Sequence, residues 1–134
     1  MQRALSLGMF GIFGRSAELR ELDKALRAVD LHPNLVPEAI KLTVVKLMRE
    51  PDGADPPLSA YGEAAAMVAY CMVGAEAFAA GNGAGLAAQI EERIDAALDE
   101  GEGLDAKLLL LMLHARVMQP SVVETFQLES SGGD

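Results

Sequence analysis

The sequence predicts an all-α protein, a single domain of five main helices plus a short sixth in an irregular or orthogonal bundle. Hydrophobic residues make up 51% of the 134 residues, and the abundant Ala and Leu favour helices over strands. Apolar residues also recur at the three- and four-residue spacing of helices. A folded domain of this size buries about two-thirds of its chain's surface, so a metal or disulfide is not required.

The first two helices form a predicted hairpin. Ser16 can cap a helix that runs to about residue 30, and Pro33 stands in the turn that ends it. Pro37 suits the first position of the second helix, which reaches residue 50. The loop over residues 51–57 then contains three prolines, a glycine and two aspartates, so we expect it to interrupt the helices.

A third helix is predicted over residues 59–80, with Gly81 at its end. One side carries small residues and the other carries larger ones, with Glu63 and Glu76 at the borders. A helix packed between neighbours has this division, so we interpret it as the central helix of a bundle. We expect the small side to contact the fourth or fifth helix, or a second copy of the chain.

The last three helices follow the Gly-rich turn at residues 81–85. The fourth is amphipathic and ends near residue 100. The fifth begins at Asp105 as its cap, and six consecutive large apolar residues, Leu108 to Leu113, predict a helix buried on all sides. Ser121 and Glu124 have the spacing of a capping box for a short last helix. We expect residues 130–134 to be disordered.

The charge distribution argues against nucleic acid as a partner. The net charge is −9, and it is concentrated in residues 51–134, where 3 basic residues face 14 acidic ones. Such a protein repels phosphate backbones. We also expect no integral membrane segment, because the fifth helix is short and the third carries two acids. The single cysteine and the absence of a secretory cleavage pattern favour a cytoplasmic protein.

Four residues are candidates for enzymatic chemistry: Glu63, Glu76, His114 and Cys71. No metal-ligand spacing, phosphate loop or nucleophile–base pair connects them in the sequence. Cys71 lies in an apolar helix and therefore resembles an inert core thiol. We expect no metal, no cofactor and no catalytic residue, and an enzyme built on these four residues is the second alternative function.

The leading hypothesis is a non-catalytic helical module for protein–protein interaction or oligomerisation, with a protein partner or a homodimer. The apolar N-terminal segment, residues 1–15, can dock on the core or on a second subunit, and a contact with a membrane surface is the other possibility. The interface residues we expect are Gly62, Ala66, Ala69, Val73, Ala77, Phe10 and Phe13. The first alternative is a carrier or sensor of a small apolar ligand, with a pliable pocket lined by Met67, Cys71, Met72, Met112 and Met118.

Overall fold

The computed structural model describes residues 17–49, 53 and 55–128, and these residues form helices without a strand. The predicted all-α class is therefore confirmed. The described residues contain seven α-helices rather than the expected six. They are α1 (17–28), α2 (Glu38–Arg49), α3 (Leu58–Val73), α4 (Ala75–Asn82), α5 (Ala84–Glu100), α6 (Leu104–His114) and α7 (Pro120–Phe126), with a short 3-10 helix at Pro33–Leu35.

Several predicted features lie outside the described residues. These are the N-terminal segment with Phe10 and Phe13, the Ser16 cap, most of the 51–57 loop and the 130–134 tail.

The hairpin of α1 and α2 turns as the prolines indicate. Asp30 has a positive φ of 67°, and the N–H of Leu31 donates back to the carbonyl of Leu26, which ends α1. The ring Nδ1 of His32 then accepts a hydrogen bond from the N–H of Asn34 at 3.1 Å. Pro37 immediately precedes α2. The turn is therefore stabilised by local bonds and needs no ligand.

α3 is the central helix, as the division of its faces indicates. Eight consecutive residues, from Ala64 to Cys71, are all buried, and the helix packs against α4, α5 and α6. The hydroxyl of Tyr70 donates to Glu91 at 2.8 Å, and its ring meets Phe78 edge to face at 5.6 Å. Among the residues that the structure describes, no helix combines the length and apolar character needed to cross a bilayer.

The expected continuous helix over residues 59–80 is wrong, because Gly74 divides it into α3 and α4. Gly74 has φ 94° and ψ 164°, a conformation open to glycine and not to residues with a Cβ. The carbonyl of Cys71 is thereby left without its usual helical donor and accepts the N–H of Gln119 at 2.8 Å. A Cβ on Gly74 would lie 3.2 Å from the Ser121 hydroxyl. The break between α3 and α4 therefore leaves room for the start of α7, where Gln119 and Ser121 lie next to Gly74.

Two predicted helix starts are also wrong. Gly103 is the N-cap of α6, and Asp105 lies in the first turn, where it accepts hydrogen bonds from Arg93. α7 begins at Pro120, after an N-cap at Gln119 that has no side-chain cap bond. Pro120 suits the first helical position, where a missing N–H costs nothing, so the Ser121–Glu124 capping box does not form.

α6 is not buried on all sides. Leu108 and Met112 are fully buried, whereas Leu110 is 51% exposed. Leu111 and Leu113 are half-buried. A single cluster of buried side chains nevertheless extends from Leu22 in α1 to Val122 in α7, so the helices share one core.

Candidate functional site

An apolar groove runs between α5 and α6 and is closed at one end by the residues that follow α7. Its volume is about 310 Å³. Leu98 and Leu110 stand at its borders with 45% and 51% of their surface exposed. Large apolar side chains left open to water beside a groove are typical of an interaction site. We call this surface the α5–α6 groove, and its lining residues are Ala97, Leu98, Gly101, Ala106, Leu109, Leu110, Leu113, Gln127 and Leu128.

Two turns build the groove. Gly101 adopts the left-handed conformation, with φ 71°, and its N–H donates to Ala97, which ends α5 within the lining. The turn returns the chain into α6 beside α5. At the other end Gln127 is also left-handed, and the N–H of Leu128 donates to the carbonyl of Val123 at 2.9 Å. This bond turns the chain at the end of α7. The Leu128 side chain is half-buried and packs against the core.

The surroundings of the groove are acidic. Asp99, Glu100 and Glu102 adjoin the lining residues Leu98 and Gly101 in sequence, and all three are exposed. Lys107 adjoins the lining residue Ala106 in sequence. An apolar groove with carboxylates beside it favours an occupant that combines apolar side chains with positive charge.

A polar cluster fixes α5 against α6 and α3. Arg93 donates from Nε and Nη2 to the two carboxylate oxygens of Asp105, at 3.0 and 2.8 Å. Its Nη2 also donates to the backbone carbonyl of Glu63 at 3.0 Å. A bidentate pair of this kind holds its helices in a defined geometry. Among the described residues no buried side-chain nitrogen or oxygen lacks a hydrogen-bond partner, so the cluster leaves no vacant polar position.

The four residues considered for catalysis are not brought together around an open site. Cys71 is fully buried, and burial raises the pKa of its thiol to about 12, against a smaller opposing effect of Arg93. The thiolate needed for nucleophilic attack is therefore scarce at neutral pH. Glu63, Glu76 and His114 are exposed on α3, α4 and α6 respectively. Within the described part of the chain, no group of His, Cys, Asp and Glu side chains is arranged to hold a metal ion.

The residues proposed for an apolar ligand pocket lie mainly in the packed core. Met67, Cys71 and Met112 have no exposed surface, and Met118 is 8% exposed. Met72 is half-buried and packs against the same cluster. None of these five side chains lines the α5–α6 groove. A ligand site among them requires the core to open, and it stays a prediction.

The small residues of α3 and α4 that were expected to form an interface lie in two different environments. Ala66 and Ala69 are buried within the chain, whereas Gly62 is exposed with open space around it. Val73 is half-buried and Ala77 is exposed. Farther along, Ala69, Val73 and Ala77 border a small cavity of about 100 Å³ together with Val29, Asp30 and Leu31. The neighbour at this end is therefore the turn after α1. An interface with a second copy at Gly62 and Ala77 stays a prediction.

Sequence reasoning missed the α5–α6 groove because it treated each helix separately. The run Leu108 to Leu113 signals more apolar surface than one helix of this length usually buries, and Leu98 and Leu128 supply the other walls. Neither a model of a protein family, nor a curated protein, nor a solved structure matches this chain.

Proposed function

We propose that the protein is a non-catalytic helical interaction module that forms a homodimer through the α5–α6 groove. The observation that carries this proposal is the exposure of Leu98 and Leu110 at the borders of an apolar groove. A solvated leucine gains about 1.5–3 kcal/mol when it is fully buried. A dimer in which the groove of each copy is covered by the other suits a two-fold axis.

The buried reactive groups add support to a non-catalytic role. The Cys71 thiol is enclosed, and its pKa is raised to about 12. Tyr70 is enclosed as well, and burial together with its bond to Glu91 raises the pKa of its hydroxyl. Both groups therefore stay protonated and out of reach of a substrate at neutral pH.

The test is the molar mass of the full-length protein in solution, measured by light scattering over a range of concentrations. We expect a dimer for the wild type and a monomer for Leu110→Glu, because a carboxylate in the groove loses its hydration on docking. Leu58→Glu is the matched control, since Leu58 is 72% exposed and lines neither the α5–α6 groove nor the small cavity beside Ala69. A monomeric wild type, or a dimeric Leu110→Glu, contradicts the proposal.

A carrier of a small apolar ligand is the second candidate. The groove volume of about 310 Å³ stands at the lower end of the roughly 300–1,000 Å³ that small-molecule sites occupy. Native mass spectrometry of the protein purified from its own cells distinguishes the two functions. A bound apolar molecule that is lost in Leu110→Glu favours the carrier, and an unliganded dimer favours the module.

A further inference from the structure

The occupant of the α5–α6 groove can be inferred from charge. Besides Met1, residues 1–15 contain six large apolar side chains, with Arg3 near one end and Arg15 at the other, and no acidic residue. The segment therefore carries positive charge in a chain whose net charge is −9. The apolar side chains are Leu5, Leu7, Met9, Phe10, Ile12 and Phe13.

Among the described residues, two grooves are large enough to receive part of this segment, and their charges differ. A groove of about 400 Å³ between α1 and α2 is lined by Leu19, Leu42 and Val45. Its charged lining residues are Glu18, Lys46 and Arg49, and Glu18 is already paired with Arg49. Another arginine gains little there because Lys46 repels it.

The α5–α6 groove has the opposite charge around it. Asp99, Glu100 and Glu102 adjoin its lining residues in sequence and are exposed, and no ion pair is formed by these three carboxylates in the described chain. Like charges on two copies also disfavour a dimer that brings only these acidic surfaces together. A positively charged apolar segment would cover the exposed leucines of the groove. Its arginines would also neutralise the carboxylates and so reduce the repulsion between two copies.

We propose that residues 1–15 of one copy dock in the α5–α6 groove of a second copy, with Phe10 and Phe13 against the leucines and Arg3 and Arg15 beside the acidic residues. This inference rests on the proposed function and names the occupant of the same groove. Reciprocal exchange of the two segments gives a closed two-fold dimer, in which each copy covers the groove of the other.

The segment joins the fold at the start of α1. Glu18, in the first turn of α1, pairs with Arg49 at the end of α2. No residue of α1 or α2 lines the α5–α6 groove. Phe13 precedes Ala17 by four residues, which span at most about 14 Å. Because the proposed function is a dimer, we assign the segment to the groove of a second copy, and docking in its own groove is the alternative that the peptide experiment tests.

The first experiment compares two double variants of the full-length protein by analytical ultracentrifugation. Phe10→Ser with Phe13→Ser removes two apolar side chains from the segment. We expect the dimer dissociation constant to rise by about tenfold or more. The matched control is Leu35→Ser with Leu58→Ser, which removes two leucines that are 64% and 72% exposed and lie outside both grooves. We expect this control to dimerise like the wild type.

The second experiment tests the charges. Arg3→Glu with Arg15→Glu weakens the dimer in the same measurement, and Glu100→Lys with Glu102→Lys added to that variant restores it. Raising NaCl from about 50 to about 500 mM weakens the wild-type dimer, because salt screens exposed charge pairs. A dimer that is strengthened by salt and indifferent to both charge changes overturns the inference.

The outcomes separate this inference from the proposed function. A dimer lost in Leu110→Glu but kept in Phe10→Ser with Phe13→Ser retains the groove as the interface and rejects the segment as its occupant. If both variants still form the dimer, the groove is not the interface either. A synthetic peptide of residues 1–15 in excess should convert the wild-type dimer into a monomer with one bound peptide. A wild-type monomer that binds no peptide overturns docking between copies together with the proposed dimer.

Membrane attachment is tested with vesicles. If the wild type binds phosphatidylserine vesicles through Phe10 and Phe13 while its dimer is unaffected by their replacement, the segment is a membrane contact and the inference is overturned. If the wild type does not bind the vesicles and Phe10→Ser with Phe13→Ser dissociates the dimer, the inference is supported.

Discussion

α3 and α6 are both rich in apolar residues in sequence, yet the structure treats them differently. α3 is buried continuously from Ala64 to Cys71, whereas α6 leaves Leu110 51% exposed. The α3 run contains many small residues, and the α6 run contains large ones. Small side chains allow neighbouring helices to approach α3 closely, while the leucines of α6 give more surface than its neighbours cover.

The difference shows that apolar character alone does not identify the centre of a helical bundle. α6 contacts α2, α3 and α5, and one row of its side chains is still exposed to solvent. A helix is central when helices or loops cover every side, and that depends on residues far away in sequence. The uncovered side of α6 is the side that forms the groove.

The largest effect should distinguish two leucines on α6. Leu108→Asp places a carboxylate in a fully buried position, so we expect a loss of several kcal/mol and an unfolded or insoluble protein. At protein concentrations where the wild type is monomeric, Leu110→Asp should change stability by about 1 kcal/mol or less, because the site is open to water within one copy. Circular dichroism and thermal melting check both variants. Equal melting temperatures contradict the assignment of the α6 faces.

Close packing of α3 is tested by adding volume. Ala69→Leu inserts three carbons at a position that is 1% exposed, and we expect it to cost about 1–3 kcal/mol. Ala96→Leu on the exposed side of α5 is the control, and it should be close to neutral. Urea unfolding monitored by circular dichroism measures both free energies. An unchanged midpoint for Ala69→Leu places that face of α3 against free space.

The interruption between α3 and α4 is tested by a pair of glycines. Gly74→Ala forces a Cβ into a residue with φ 94° and near the Ser121 hydroxyl, so we expect a loss on the order of 1 kcal/mol or more. Gly62→Ala, within α3 and in open space, should stabilise by about 0.5–1 kcal/mol through helix propensity. Opposite signs in urea unfolding support a required break at Gly74. A stabilising Gly74→Ala contradicts it.

The smallest effect concerns the Cys71 thiol and alkaline pH. Its pKa in the folded protein is raised to about 12, whereas the unfolded thiol ionises near pH 8.5–9. Stability from this group is therefore fully present below about pH 8.5 and is lost as pH rises toward 12, because the unfolded chain releases its proton first. We expect a loss of about 1–2 kcal/mol between pH 8 and pH 10 from this thiol.

Cys71→Ala provides the control for that effect. Tyr70 also has a raised pKa, but its unfolded hydroxyl ionises only near pH 10. The variant should start with lower stability at pH 7 and lose less than the wild type between pH 8 and pH 10. The free energy of unfolding of both proteins is measured in urea as a function of pH. If the wild type and Cys71→Ala show the same pH dependence, the thiol reaches solvent in the folded protein.

The sequence was sufficient to predict much of the fold. The amphipathic spacing of α5, the hairpin turn around Pro33 and the central position of α3 follow from local patterns, and the structure agrees. The starts of α6 and α7 did not follow from the sequence. The carboxylate of Asp105 accepts hydrogen bonds from Arg93, and Pro120 takes the first helical position ahead of Ser121.

The candidate site was less accessible to sequence analysis. Leu110 belongs to a run whose six members look alike, and only the packing of α5, α6 and the chain end separates it from Leu108. Gly74 stands among alanines that favour helix, and its positive φ becomes useful only because Gln119 approaches Cys71.

The sequence by itself determined that this chain is helical, where most turns fall and which half is acidic. Propensity, period and charge act over a few residues and can be read from neighbours along the chain. The tertiary structure decided which apolar helix is enclosed, where α3 and α4 separate and which leucines remain in water. Burial depends on how many other elements cover a surface, and that number is set by all the helices together.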